Sequence, residues 1–155
     1  MIIDLCCGIG RFPGVHTVSI DFDPKTRPTI IADISNLPLR PKLRPKLCHA
    51  SPPCTYFSVA RQRRYGHDHK GIANSLRLVA ECFDIFHYLE AKNWTLENPV
   101  GFLSKILNET RISYEVHDYT AKRTVFYSNM RGLKRSIIPD NVRQMILDEV
   151  NRNDS

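Results

Sequence analysis

The sequence predicts an α/β fold built on a parallel sheet, and three observations carry that expectation. Short apolar runs recur along the chain, and each ends in a polar residue: Asp4, Asp21, Asp33, the turn at Cys54, and Glu97. Runs of this kind, bounded by turn residues, read as buried strands. A glycine turn, Cys6-Cys7-Gly8-Ile9-Gly10, follows the first run directly. A long amphipathic segment separates the fourth run from the fifth, with Leu76, Val79, Phe83 and Phe86 on one helical face. Ligands of such sheets bind outside the carboxyl ends of the strands, so these five polar positions are expected on one functional edge.

The first strand is expected over residues 1–5 and the second over 15–21, closed by Asp21-Phe22-Asp23-Pro24. The third covers 29–32 and is closed by Asp33. The fourth covers 47–50 and runs into Ser51-Pro52-Pro53-Cys54. The fifth covers 94–96 and is closed by Glu97-Asn98-Pro99. Residues 112–119 and 124–127 are rich in β-formers and read as a terminal hairpin. Helices are expected over 72–90, over 101–110 after Pro99, and over 141–151. The last has Val142, Met145, Ile146 and Val150 as its apolar stripe and Asp140 as its cap. Residues 1–151 make one domain and 152–155 a frayed tail.

The early connections are short. Gly10 and Val15 are separated by four residues, Pro13 and Gly14 among them. A parallel crossover ordinarily takes roughly a dozen residues or more, usually as a helix. The sheet is therefore expected to be trimmed of its first helices. The face left bare needs a cover, supplied by the C-terminal helix, by a second copy of the chain as a homodimer, or by a partner subunit.

Composition narrows the class. At 155 residues, 42% hydrophobic and 25% charged, the chain suits one ordinary globular domain. No apolar run approaches the ~20 residues that span a bilayer, and the Met1-Ile2-Ile3-Asp4 start lacks a basic leader. No membrane association and a cytoplasmic location are the expectation. Five cysteines with Cys6 and Cys7 adjacent fit no zinc pattern and read as reduced thiols. His67 and His69 read as solvated loop residues, so no metal is expected. The net charge of +6 comes from 22 basic against 16 acidic side chains. Basic clusters at 40–46 and 61–64 are expected in loops near the site and favour a nucleic-acid partner. The first includes Arg-Pro-Lys-Leu twice over and reads as an extended linker.

A cysteine following two prolines suits a positioned nucleophile better than core packing, although free cysteines are often simply buried. A carboxylate at a neighbouring strand end would complement it.

The motifs resemble those of the DNA (cytosine-5)-methyltransferases, in order and over most of the chain. Asp4-Leu5-Cys6-Cys7-Gly8-Ile9-Gly10 resembles that family's first, S-adenosylmethionine-binding motif. Asp21-Phe22-Asp23-Pro24 resembles the second, and Ala32-Asp33-Ile34-Ser35-Asn36-Leu37 the third. Ser51-Pro52-Pro53-Cys54-Thr55-Tyr56-Phe57-Ser58 resembles the catalytic motif, and Glu97-Asn98-Pro99 the Glu-Asn-Val motif in the proline variant of small phage-type members. Lys122-Arg123-Thr124 with Phe126-Tyr127-Ser128-Asn129 resembles a later strand of those members.

The resemblance implies a Rossmann-like fold and methyl transfer from S-adenosylmethionine to carbon 5 of cytosine in DNA. Methylation of transfer RNA, a non-catalytic nucleic-acid-binding module and a structural subunit are the other readings. Cys54 matches the nucleophile, and Glu97 the group that contacts ring N3 and the exocyclic amine. Arg123, or Lys122, matches the arginine that touches the cytosine carbonyl. Gly8 and Gly10 match the backbone approach to the methionine part of the cofactor, with Asp4, Cys6 and Pro52 also assigned to its pocket. Asp21 matches the ribose acceptor, Phe22 the adenine-stacking ring, Asp33 the acceptor for the adenine amine, and Ile34 its packing neighbour. Gln62-Arg63-Arg64 has the letters of the family's Gln-Arg-Arg motif but follows directly on the catalytic loop. Arg61, Arg63 and Arg64 are read there as phosphate contacts. No segment between the later motifs is long enough for a target-recognition domain.

Overall fold

The computed structural model describes residues 1–155 except 10, 11, 13–15, 60, 62, 63, 65, 66, 109–113, 120, 121, 131–141 and 153–155. The side chains of 108, 114–119, 122, 123, 142–145 and 149 also lie outside the description. Strands β1 (Ile2–Leu5), β2 (Thr17–Asp21), β3 (Ile30–Ile31), β4 (Leu47–Ala50), β5 (Asn93–Pro99), β6 (Tyr114–Tyr119) and β7 (Lys122–Ser128) form one sheet in the order β3-β2-β1-β4-β5-β7-β6. β1 through β5 pair in parallel, whereas β7 runs antiparallel to both β5 and β6. The helices are α1 (His69–Tyr88), α2 (Phe102–Asn108) and α3 (Val142–Arg152).

This is the expected Rossmann-like sheet. The chain moves outward from β1 to β3, then returns to the other side of β1 as β4. The strand order reverses between β1 and β4, and a crevice opens at such a reversal. The expected trimming is also present. Among the described residues no α-helix lies between β1 and β4, where two single 3-10 turns stand, Pro24–Thr26 and Ile34–Asn36.

Alternation along each strand builds two cores. Ile3, Leu5, Cys48, Ala50, Leu96, Val125 and Tyr127 pack with Val79, Cys82 and Phe86 of α1. Ile34 belongs to the same core, and Leu37 and Leu39 pack against it. On the other face Ile2, Leu47 and Phe126 meet Phe12 and the α3 residues Ile146, Leu147 and Val150. The C-terminal helix therefore covers this face, assisted by Phe12 from the short β1–β2 connection.

α1 starts three residues earlier than its apolar pattern suggests, because the Asp68 side chain accepts from the Gly71 N–H at 2.9 Å. It ends where Glu90 turns left-handed (φ 51°) and the Ala91 N–H returns to the Phe86 carbonyl. Asp140, the expected cap of α3, lies outside the described residues, and α3 includes Arg152 of the expected tail.

The expected late hairpin is present, with β7 inserted beside β5 and β6 at the sheet edge. Two expectations are corrected. β5 is longer than its apolar run, because pairing with β7 carries it through Glu97, Asn98 and Pro99 after β4 has ended opposite Leu96. The basic stretch 40–46 precedes β4 and so lies at the amino end of the sheet, away from the functional edge. Its backbone bonds the end of α1 (Lys42 N–H to Tyr88 O, Arg44 N–H to Leu89 O). Glu90 receives Arg44 at 2.8 Å and Lys42 at 3.6 Å.

Two expected outcomes follow from the packing. Ile146 is fully buried, so Ile146→Ala lowers unfolding free energy by about 2–5 kcal/mol in urea titrations. Burial, then the neighbouring Asp4 charge, pushes the Cys48 thiol well above its ordinary value of 9.0. A hydrogen bond with Cys6, then burial, does the same for Cys82. Below the ordinary value both states hold these protons; above it the unfolded chain releases them while the fold retains them. Stability therefore falls as pH rises through about 9. Urea unfolding between about pH 7 and about pH 10 shows the decline, and Cys48→Ala makes it shallower.

Candidate active site at the carboxyl edge of the sheet

Two loops leave the sheet at its carboxyl edge where the strand order reverses, between β1 and β4. The first leaves β1 through Cys6 and Gly8, both left-handed at φ 51° and 53°. That backbone suits glycine at position 8 and strains Cys6. The turn is held from β2: Asp21 Oδ2 accepts from the Gly8 N–H at 3.0 Å, and Oδ1 accepts from the Asp23 N–H at 2.9 Å. Asp21, 7% exposed as a residue, braces both turns at once. Beside it Phe22 stands 71% exposed. Asp33, at the end of the β3 segment, is exposed, and the Ser35 backbone N–H at 2.9 Å holds its carboxyl below the usual range.

The second loop leaves β4 at Ser51, whose N–H bonds the Leu5 carbonyl at 3.1 Å. The Cys54 carbonyl accepts from Phe57 and Ser58 N–H, each at 3.0 Å, which closes a turn around the half-buried cysteine. β5 grips this loop at both ends. Ser51 Oγ donates to Glu97 Oε2 at 3.3 Å, and Asn98 Nδ2 donates to the Pro52 carbonyl at 3.3 Å. Beyond β5, Gly101 bridges to Ser58, and the Phe102 N–H bonds the Phe57 carbonyl at 2.9 Å. A Cβ on Gly101 would overlap the Phe57 carbonyl, so only glycine permits this approach. Gly71, in the first turn of α1, likewise lies directly against the Tyr56 ring.

The Cys54 loop and the Glu97 segment of β5 thus share one edge. Glu97 itself lies within β5, beyond the end of β4, with its side chain 33% exposed. Asp4 is corrected: it is fully buried within β1, opposite Ser19 and His49, rather than at the ligand edge. The strand continues past it through Leu5, and its alternation turns Asp4 inward. Ile34 is 6% exposed and packs in the α1-side core. Pro52 is buried. Arg61 and Arg64 are exposed just after the loop. Gly10 and Arg63 lie outside the described residues. Lys122 and Arg123 open β7 opposite Tyr119 and Asp118. Thr124 pairs with Pro99, which puts Arg123 at the same carboxyl edge. Among the described residues no cluster of three metal-ligating side chains occurs, His67 and His69 included.

Sequence reasoning missed His49. It is 1% exposed in β4, with Nδ1 2.7 Å from Thr95 Oγ1 and Nε2 3.0 Å from Ser51 Oγ. The available signal was a histidine inside an otherwise apolar strand, two residues before the Ser-Pro-Pro-Cys turn.

No protein-family model and no curated protein matches the chain. Among solved structures it is similar to the methyltransferase EhMeth of Entamoeba histolytica, with a TM-score of 0.52 and 16% sequence identity. The match covers 88% of this chain and 54% of that one, so this chain spans about half the length of that structure. The likeness shows a Rossmann-like fold.

The bracing predicts a specific sensitivity. Gly101→Ala forces the Phe57 carbonyl and the loop away from β5 and destabilises the fold by about 1–3 kcal/mol. Thermal unfolding measures the loss; an unchanged melting temperature would show that the two segments are not in contact.

Proposed function

We propose that the chain is an S-adenosylmethionine-dependent methyltransferase acting on carbon 5 of cytosine in DNA. One observation supports this above the rest. The Pro-Pro-Cys loop and the Glu-Asn-Pro segment, which resemble the family's two catalytic motifs, are bonded to each other through Ser51–Glu97 and Asn98–Pro52.

The residues at the crevice suit the cofactor. Exposed Phe22 offers a flat apolar surface, and exposed, ionised Asp33 offers an acceptor for an amine. The Cys6–Gly8 turn presents backbone at the strand reversal, where Rossmann-like sheets hold ligands. Asp21 would share with a ribose a carboxylate that already holds two backbone N–H groups. When bound, S-adenosylmethionine supplies an electrophilic methyl on sulfonium.

Carbon 5 of cytosine is too weak a nucleophile to take that methyl unaided. Addition of the Cys54 thiolate to carbon 6, with Glu97 hydrogen-bonded at N3, turns the ring into an enamine with electron density at carbon 5. After methylation the carbon 5 proton leaves to a base, the carbon 6–sulfur bond breaks, and aromaticity returns with Cys54 regenerated. The target base must leave the stack to reach the loop. Arg61 and Arg64, exposed beside the loop, and Lys122 and Arg123, at the start of β7, are the proposed backbone and base contacts.

A duplex containing 5-fluorocytosine tests the reaction, because fluorine cannot leave carbon 5 as a proton does. The expected result is a covalent adduct that requires S-adenosylmethionine and disappears in Cys54→Ser and Glu97→Gln. Equal trapping by wild type and Cys54→Ser refutes the mechanism, and trapping on RNA alone moves the substrate to RNA.

A further inference from the structure

The α3-side face of the sheet carries a row of buried polar side chains across five strands. Ser19, Asp4, His49, Thr95 and Ser128 are register neighbours in β2, β1, β4, β5 and β7, and none exceeds 3% exposure. A row of this kind is costly inside a core unless its members are bonded. Its centre is His49, and from His49 one branch leads to the proposed active site. We propose that His49 is a positioning residue, acting through Ser51 to orient Glu97 and to govern its proton. The assignment rests on the reaction proposed above, in which Glu97 must hold N3.

Chemistry fixes the direction of the branch. An ionised Glu97 only accepts, so Ser51 donates to it at 3.3 Å. The Ser51 oxygen is then free to accept from His49 Nε2–H at 3.0 Å. Neutral His49 with its proton on Nε2 accepts a hydrogen bond from the Thr95 hydroxyl at Nδ1, across 2.7 Å. Three donors in series point at one carboxylate. The same geometry moves a proton outward. When His49 takes up a proton from solvent, its Nδ1–H donates to Thr95 Oγ1; its Nε2 proton then passes to Ser51 Oγ as Ser51 passes its own to Glu97 Oε2, which leaves His49 neutral with its proton on Nδ1. Glu97 then holds the proton that N3 needs as Cys54 adds.

The surroundings restrict what else can drive this exchange. Phe12 stands edge-on to the imidazole with centroids 5.3 Å apart, and Phe126 lies at 6.5 Å. α3 contributes Ile146, Leu147 and Val150 to the core on this face. Among the described residues, the titratable groups facing His49 are Asp4 on the β1 side and Glu97, whose Oε2 is 4.0 Å from Nε2. A carboxylate on each side favours the imidazolium form; the apolar rings and helix oppose it.

Carboxyl NMR of Glu97 across pH, in wild type, Ser51→Ala and His49→Phe, tests the coupling whether or not the protein turns over. Removing either donor should move the Glu97 midpoint upward, and Glu97→Gln should move the His49 midpoint downward. Ser51 is half-buried, so its variant keeps the test open if His49→Phe does not fold. In methyl-transfer assays, folded Ser51→Ala should lose about tenfold or more in kcat with KM for DNA unchanged. The His49→Phe/Ser51→Ala pair should lose no more than the worse single variant, since the two act in series. Unmoved Glu97 and His49 midpoints overturn the relay, as does additive loss in the pair. A wild-type protein that transfers no methyl group while the midpoints move overturns the proposed reaction and leaves the relay standing.

Discussion

The grip of β5 on the loop after β4 is the constraint on which the site depends. A loop containing Pro-Pro-Cys has few backbone donors to spend on regular structure, so its position has to come from neighbours. It comes from Ser51 on Glu97, from Asn98 on the Pro52 carbonyl, and from the bridge at Ser58 and Gly101. Each of these anchors belongs to β5 or to the turn after it. The cysteine loop therefore cannot move far without disturbing the strand that carries the carboxylate.

That grip requires β5 to extend beyond its parallel partner. β4 ends opposite Leu96, and a strand paired on that side alone would end there too. Antiparallel β7 supplies the missing pairing through Pro99. A reversed strand beside β5 thus has a mechanical consequence: it stiffens the segment that carries Glu97 and Asn98, the two strand residues that hold the loop. It also brings Lys122 and Arg123 to the same edge. The short early crossovers are compensated in a similar way, with Phe12 and α3 on one face and the 3-10 segment at Ile34 packing toward α1 on the other.

Much of this was legible in the sequence, and the reasons are specific. The parallel strands are short, mostly apolar runs that end in turn residues, so β1 to β4 were found within two residues of their true ends. The α1 stripe was found because its periodicity is strong; its start was missed because Asp68 caps a first turn that has no apolar residue. The insertion of β7 was not legible, since nothing local distinguishes a terminal hairpin from one that enters the sheet. The length of β5 was lost for the same reason. Asp4 and Asp21 look alike as letters at strand ends, yet alternation buries Asp4 while Asp21 holds the Gly8 turn. The role of His49 depends on Thr95 and Ser51, and Thr95 lies in a different strand with a register that only the fold reveals. The 40–46 cluster was misplaced because charge gives no address: its position follows from preceding β4, which sets it beside the end of α1.

The most direct measurement is a crystal structure of the protein with S-adenosylhomocysteine and an oligonucleotide that presents an unpaired cytosine. The account predicts the base lodged between the two gripped segments, with Cys54 Sγ against carbon 6 and the Glu97 carboxyl hydrogen-bonded to N3. A base bound elsewhere, or a sulfur and a carboxylate facing opposite sides of the molecule, would contradict it.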